Sequence, residues 1–173
     1  MPGFVAQSDG TTSEILVRDL SYDGCGIEVS VPLQVGEVIK LSVMGRPAAL
    51  AGVRWYSKGR AGLVFGVEAA SVKAAHTRTS ERVDLHATVT TRRLGRARYR
   101  VQIKDLSREG CKIELVERAR VGETLFIKFA GFEGLRVVVC WSDVRYAGVR
   151  FENAIHPAVF DLMLTRFGSI GTD

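Results

Sequence analysis

Asp105-Leu106-Ser107-Arg108-Glu109-Gly110-Cys111-Lys112-Ile113-Glu114 has a near copy 86 residues earlier, Asp19-Leu20-Ser21-Tyr22-Asp23-Gly24-Cys25-Gly26-Ile27-Glu28. The register continues without a gap: Val35-Gly36-Glu37 falls on Val121-Gly122-Glu123, Gly45 on Gly131, Val53 on Val139, Trp55 on Trp141, Ala61-Gly62 on Ala147-Gly148 and Phe65 on Phe151. Sixteen identities in one ungapped span make the chain an internal repeat, and the two halves are expected to share a fold.

The repeat unit reads as strands. Val101 and Ile103, Ile113 and Leu115, and Leu125, Ile127 and Phe129 alternate with polar partners, and the pattern runs on through Leu135, Val137, Val139 and Trp141 to Val149 and Phe151. Ile15 and Val17, Ile27 and Val29, Ile39, Leu41 and Val43, Ala51, Val53 and Trp55, and Leu63 and Phe65 repeat it in the first half. Each Val-Gly-Glu is a turn. Many short, evenly spaced strands predict a mostly β chain of two small closed barrels in tandem, because closure removes edges that would pair with other chains. At the end the period changes: Pro157 opens a helix, Phe160, Met163, Leu164 and Phe167 recur at helical spacing, and Gly168 ends it. That helix is expected to pack on the second barrel. Glu68 to Thr77 reads either as a weaker helix or as a linker.

Composition narrows the class. The chain has 173 residues, 46% of them hydrophobic and 25% charged, the balance of a globular protein. No apolar stretch approaches the roughly 18 residues of a membrane span, and Met1 to Gly10 lacks the regions of a signal peptide, so a cytoplasmic protein is expected. Cys25, Cys111 and Cys140 form no CxxC pair and are read as core residues, with no disulfide or metal role. The net charge of +5 is concentrated in residues 68 to 100, which hold eight basic groups against three acidic. Such a local field points to an anionic partner. His76, His86 and His156 have no metal-ligand spacing, Ser107 has no evident base, and no phosphate loop ends in Lys-Ser or Lys-Thr. No enzyme is expected.

The halves differ ahead of the shared motif. The second has a candidate strand, Val83 to Val89, and a basic hairpin through Leu94 and Gly95, where the first has only Met1 to Ser13. Arg78-Thr79-Ser80-Glu81-Arg82, followed by Asp105-Leu106-Ser107-Arg108-Glu109-Gly110, resembles the paired RxxxR and DxSxxG signature of PilZ domains, bacterial receptors for cyclic di-GMP. Under the register of the repeat, Arg78 and Arg82 map before Met1, so the first half has DxSxxG alone, as Asp19, Ser21 and Gly24. The resulting division is a degenerate first barrel at 1–67, a linker or short helix at 68–77, a PilZ domain at 78–168 and a tail at 169–173.

The residue chemistry is consistent with that resemblance. Guanine O6 and N7 are acceptors suited to the planar forks of Arg78 and Arg82, while its N1 and N2 hydrogens need acceptors such as an ionised Asp105, with the Ser107 hydroxyl beside it. Gly110 is expected to let the ligand approach the backbone and to allow a turn with positive φ. The resemblance also implies Trp141 as a ligand contact; as a repeated residue it reads equally well as core. DxSxxG can equally be a turn signature in which Asp and Ser cap backbone donors, the reading favoured for the first half. The expected ligand is cyclic di-GMP, with no other cofactor, and the expected partner is an effector protein. The basic hairpin Arg92 to Arg100 allows a nucleic-acid-binding barrel as a disfavoured alternative, and a nucleotide-independent adaptor is a third reading.

Overall fold

A computed structural model describes residues 1–43, 46–66, 82–93 and 97–168. The expectations for Arg78, for 68–77, for Leu94 and Gly95, for Gly45 and for the 169–173 tail lie outside the described residues.

The alternating patterns form strands that close into two antiparallel barrels. The first contains β1 (Pro2–Ala6), β2 (Thr12–Leu20), β3 (Gly24–Val29), β4 (Val38–Val43), β5 (Ala49–Ser57) and β6 (Arg60–Phe65), ordered β1-β2-β3-β6-β5-β4 with β1 paired to β4. The second contains β7 (Val83–Arg92), β8 (Arg98–Leu106), β9 (Gly110–Glu114), β10 (Thr124–Lys128), β11 (Gly134–Ser142) and β12 (Tyr146–Phe151), ordered β7-β8-β9-β12-β11-β10 with β7 paired to β10. Strand for strand, the two orders are the same. The alternating apolar residues fill each interior, Val5, Ile15, Ile27, Ile39 and Val53 in the first and Val89, Val101, Ile113, Ile127, Leu135 and Val137 in the second. Each Val-Gly-Glu is a turn, with Gly36 and Gly122 at φ of 88° and 84° and their N–H groups donating to Val53 O and Val139 O at 2.8 Å.

The alternation breaks where β-bulges add a residue. In β8 the register against β9 shifts between Ile103 and Asp105, and in β11 the register against β12 shifts between Val139 and Trp141. β2 and β5 carry the same shifts, between Val17 and Asp19 and between Val53 and Trp55. A bulge puts two consecutive residues on one side, so Asp105 and Trp141, which strict alternation points inward, face out. The core reading of Trp141 is corrected on this ground: the residue is 39% exposed. Cys140, on the same bulge, is also exposed rather than core, whereas Cys25 and Cys111 are buried as expected.

The helix α1 (Pro157–Phe167) opens on its proline, with His156 as cap: His156 Nδ1 accepts from Ala158 N at 3.2 Å. Its buried residues are Val159, Leu162, Met163 and Phe167 rather than the expected set with Phe160 and Leu164. The expectation that the helix packs on the second barrel is also corrected, since His156–Arg166 groups with the first. The His156 ring stacks on Phe65 at 5.7 Å, Arg46 Nε donates to Thr165 Oγ1 at 2.7 Å, and Arg166 Nη2 donates to Arg18 O at 3.0 Å. The last helical residue, Phe167, lies against Phe129 at 5.6 Å and belongs to the second compact unit. A difference between the barrels accounts for Arg166. In the second, Val83 and Asp84 of β7 face Leu106 and Asp105, whereas β1 begins opposite Leu16, leaving the last carbonyls of β2 for other donors.

Candidate functional site

The bulges assemble an outward-facing row across the second barrel. Asp84 on β7 faces Asp105 on β8, Asp105 faces Lys112 on β9, Lys112 faces Gly148 on β12, and Gly148 faces Trp141 on β11. With strands about 4.8 Å apart, Asp105 and Trp141 stand three steps or about 14 Å from one another along the wall. Gly148 makes room for the indole, because a Cβ there would overlap Trp141 Nε1. The Trp141 ring therefore lies along the wall towards Lys112, whose Nζ is 5.9 Å from its centroid and 4.6 Å from that of Tyr146.

Asp105 is held from two directions. Its Oδ1 accepts the Lys112 backbone N–H at 3.0 Å across the bulge, and its Oδ2 faces Arg82 Nη1 at 3.6 Å. The Asp105 side chain is 17% exposed and that of Arg82 64%, so the carboxylate is the fixed member and the guanidinium the accessible one. Arg82 immediately precedes β7, and the pairing of Asp84 with Asp105 brings it alongside β8. Burial pushes the thiol of the neighbouring Cys111 well above its ordinary range, the Asp105 charge adding to the effect, so this buried sulfur stays protonated.

Ser107 and Gly110 serve the turn between β8 and β9. Ser107 Oγ accepts from Glu109 N at 3.3 Å and Gly110 N at 3.2 Å and lies 3.2 Å from Gly110 O, and the residue is 5% exposed. Gly110 has no positive φ, contrary to the expectation for it. Its missing side chain admits β12 instead: a Cβ would overlap Val149 O. The turn reading of DxSxxG thus describes Ser107 and Gly110, while Asp105 is the member of the motif that faces outward.

The structure brings Arg82, Asp105 and Trp141 to one wall, with Ser107 and Gly110 in the turn that supports it; Arg78 is outside the described residues. Lys112 and Tyr146 also belong to this wall, and neither stands out in the sequence, because both fall outside the identities of the repeat. The signal lay in a difference, Gly-Cys-Lys-Ile-Glu against Gly-Cys-Gly-Ile-Glu in the first half. The first barrel's row is Asp19, Gly26, Gly62 and Trp55, and the Asp19 carboxylate occupies the space a Gly26 side chain would need. In the basic hairpin, Arg93 pairs with Glu117 and Glu123, and the Tyr99 hydroxyl donates to Glu117. These two groups are tied down by acids of the same barrel, which weakens the nucleic-acid alternative. Among the described residues no three His, Cys, Asp or Glu side chains form a metal cluster, and no helix is long and apolar enough to cross a membrane.

The second barrel is thus a closed six-stranded barrel that presents an arginine-carboxylate pair and an exposed aromatic on its outer wall. The chain belongs to the PilZ family: the PilZ domain model matches residues 76–163, slightly more than half of it. Among solved structures it is similar to Borreliella burgdorferi PlzA in complex with c-di-GMP, at 16% identity and a TM-score of 0.41, covering 96% of this chain and 86% of that one. It is likewise similar to the K. pneumonia MrkH complex with c-di-GMP, at 15% identity and a TM-score of 0.41, covering 95% and 88%. Escherichia coli YcgR in complex with c-di-GMP has 15% identity and a TM-score of 0.37, covering 95% and 80%. No curated protein matches the chain.

Proposed function

We propose that the protein is a cyclic di-GMP receptor that binds the dinucleotide on the outer wall of its second barrel through Arg78, Arg82, Asp105 and Trp141, with Ser107 and Gly110 building the supporting turn. The observation that carries this reading is the Arg82–Asp105 pair, at 3.6 Å, within the segment that matches the PilZ domain. A fixed carboxylate holding an accessible guanidinium is suited to a guanine: the arginine fork meets O6 and N7, and the carboxylate's remaining lone pairs meet N1 and N2 hydrogens. Trp141 offers an exposed ring face for stacking. Arg78 takes its role from the resemblance of Arg78 to Arg82 to the RxxxR element.

The reading is of binding without catalysis: the Ser107 hydroxyl is engaged by backbone groups of Glu109 and Gly110, as a turn residue is. The first barrel is read as a degenerate PilZ-like barrel, and the messenger's site of action as the cytoplasm. Arg78 and Arg82 stand in sequence between β6 and β7, so ligand capture there can reorient the barrels or expose a surface for an effector. Small-angle scattering with and without saturating ligand tests the reorientation, and identical profiles would remove it while leaving the binding intact.

The binding claim is tested by substitution. Arg82→Ala and Asp105→Ala should each weaken cyclic di-GMP binding on the order of 10- to 100-fold, the effect of one charge-assisted hydrogen bond. Unchanged affinity in both, with the fold intact by circular dichroism, would contradict it.

A further inference from the structure

We infer that Lys112 is a phosphate-binding residue of the same site, an inference that rests on the cyclic di-GMP reading above. Lys112 occupies the middle of the outward row, between Asp105 on β8 and Gly148 on β12, with Trp141 one strand further. Its ammonium is 5.9 Å from the Trp141 ring and 4.6 Å from the Tyr146 ring, so it stands over the aromatic end of the row. Among the described residues the ammonium has no ion-pair partner. Asp143, on which the Lys112 charge acts, already accepts the N–H groups of Arg145 and Tyr146 at 2.7 Å each.

The two ends of Lys112 have separable tasks. Its backbone N–H holds Asp105 Oδ1, and every residue except proline can supply that bond. Its side chain adds a cation beside the surface on which a base can stack. A compact, strongly hydrated ammonium suits a phosphate oxygen, whereas the guanidinium of Arg82 suits a guanine edge. A dinucleotide carries both chemistries. With one base at Arg82 and Asp105 and another against Trp141, the connecting phosphate would pass over the middle of the row, where Lys112 stands. At the corresponding position the first barrel has Gly26, whose side-chain space is filled by Asp19, so it lacks this cation on the sheet.

Calorimetric titration of cyclic di-GMP into the full-length wild type, Lys112→Ala, Lys112→Gln and Lys112→Arg, each at low and moderate salt, tests this. The Ala and Gln variants should bind roughly ten-fold more weakly, with a shallower loss of affinity as salt rises, and the Arg variant should retain most of the affinity. Thermal unfolding should leave all three close to wild type, since the bond to Asp105 is made by the backbone. Wild-type affinity and salt dependence in both Ala and Gln variants would overturn the role of Lys112 while leaving the receptor reading in place. Absence of binding by the wild type would overturn the receptor reading itself, and this inference with it.

Discussion

Gly110 and Gly148 each lie in a dipeptide that the repeat preserves, Gly-Cys and Ala-Gly, yet their missing side chains serve different neighbours. At Gly110 the space belongs to the Val149 carbonyl of the adjacent strand, and at Gly148 to the Trp141 indole. Gly110→Ala therefore has to push apart two backbones, and should destabilise the fold by about 1 to 3 kcal/mol, the usual cost of overpacking. Gly148→Ala meets the exposed side chain of Trp141, which can swing away. It should leave the unfolding midpoint nearly unchanged, shift the tryptophan fluorescence and weaken ligand binding. Chemical denaturation with fluorescence detection distinguishes the two; equal losses of stability would show that Trp141 is fixed as firmly as the backbone.

At the scale of the element, the bulges decide which side chains reach the site. The bulge in β11 turns both Cys140 and Trp141 outward, while Cys25 and Cys111 remain in the barrel interiors. A thiol reagent should thus label Cys140 in the folded protein and all three cysteines after unfolding. The buried thiols also set a pH dependence. Burial, with Asp19 adding to it, raises the Cys25 thiol from its ordinary 9.0 to about 12. Between these values an unfolded chain gives up the proton and the folded chain keeps it, so the thiol's contribution to stability is full below 9.0 and is lost as pH rises towards about 12. Cys25→Ala, less stable at neutral pH because of its cavity, should lose stability less steeply across that window, and a slope equal to wild type would count against the burial effect. These same bulges mark the limit of what the sequence shows. Alternation at Val101, Ile103, Leu135, Val137 and Val139 locates the strands and the core, because a period of two is a property of any half-buried strand. An added residue leaves no mark in that pattern, so Trp141 reads as a continuation of the Val139 face. The partner of α1 was hidden for a related reason. An apolar helical face shows that the helix docks, and the carbonyls near Arg18 that receive Arg166 become available only through the shorter β1.

Over the whole molecule, one repeat yields two barrels of the same strand order with unequal surfaces. Asp19 and Trp55 hold the places of Asp105 and Trp141, but Gly26 replaces Lys112. The member of the site most legible in sequence, the DxSxxG motif, is the one the barrels share and so the one that distinguishes them least. Asp19→Ala should consequently leave cyclic di-GMP affinity within about two-fold of wild type, where Asp105→Ala lowers it on the order of ten-fold or more. The most direct measurement is calorimetric titration of cyclic di-GMP into the intact wild-type protein beside the Arg82→Ala and Asp19→Ala variants. The account predicts saturable binding by wild type and Asp19→Ala and a large loss in Arg82→Ala. No heat of binding in the wild type, or binding that Arg82→Ala leaves untouched and Asp19→Ala abolishes, would contradict it.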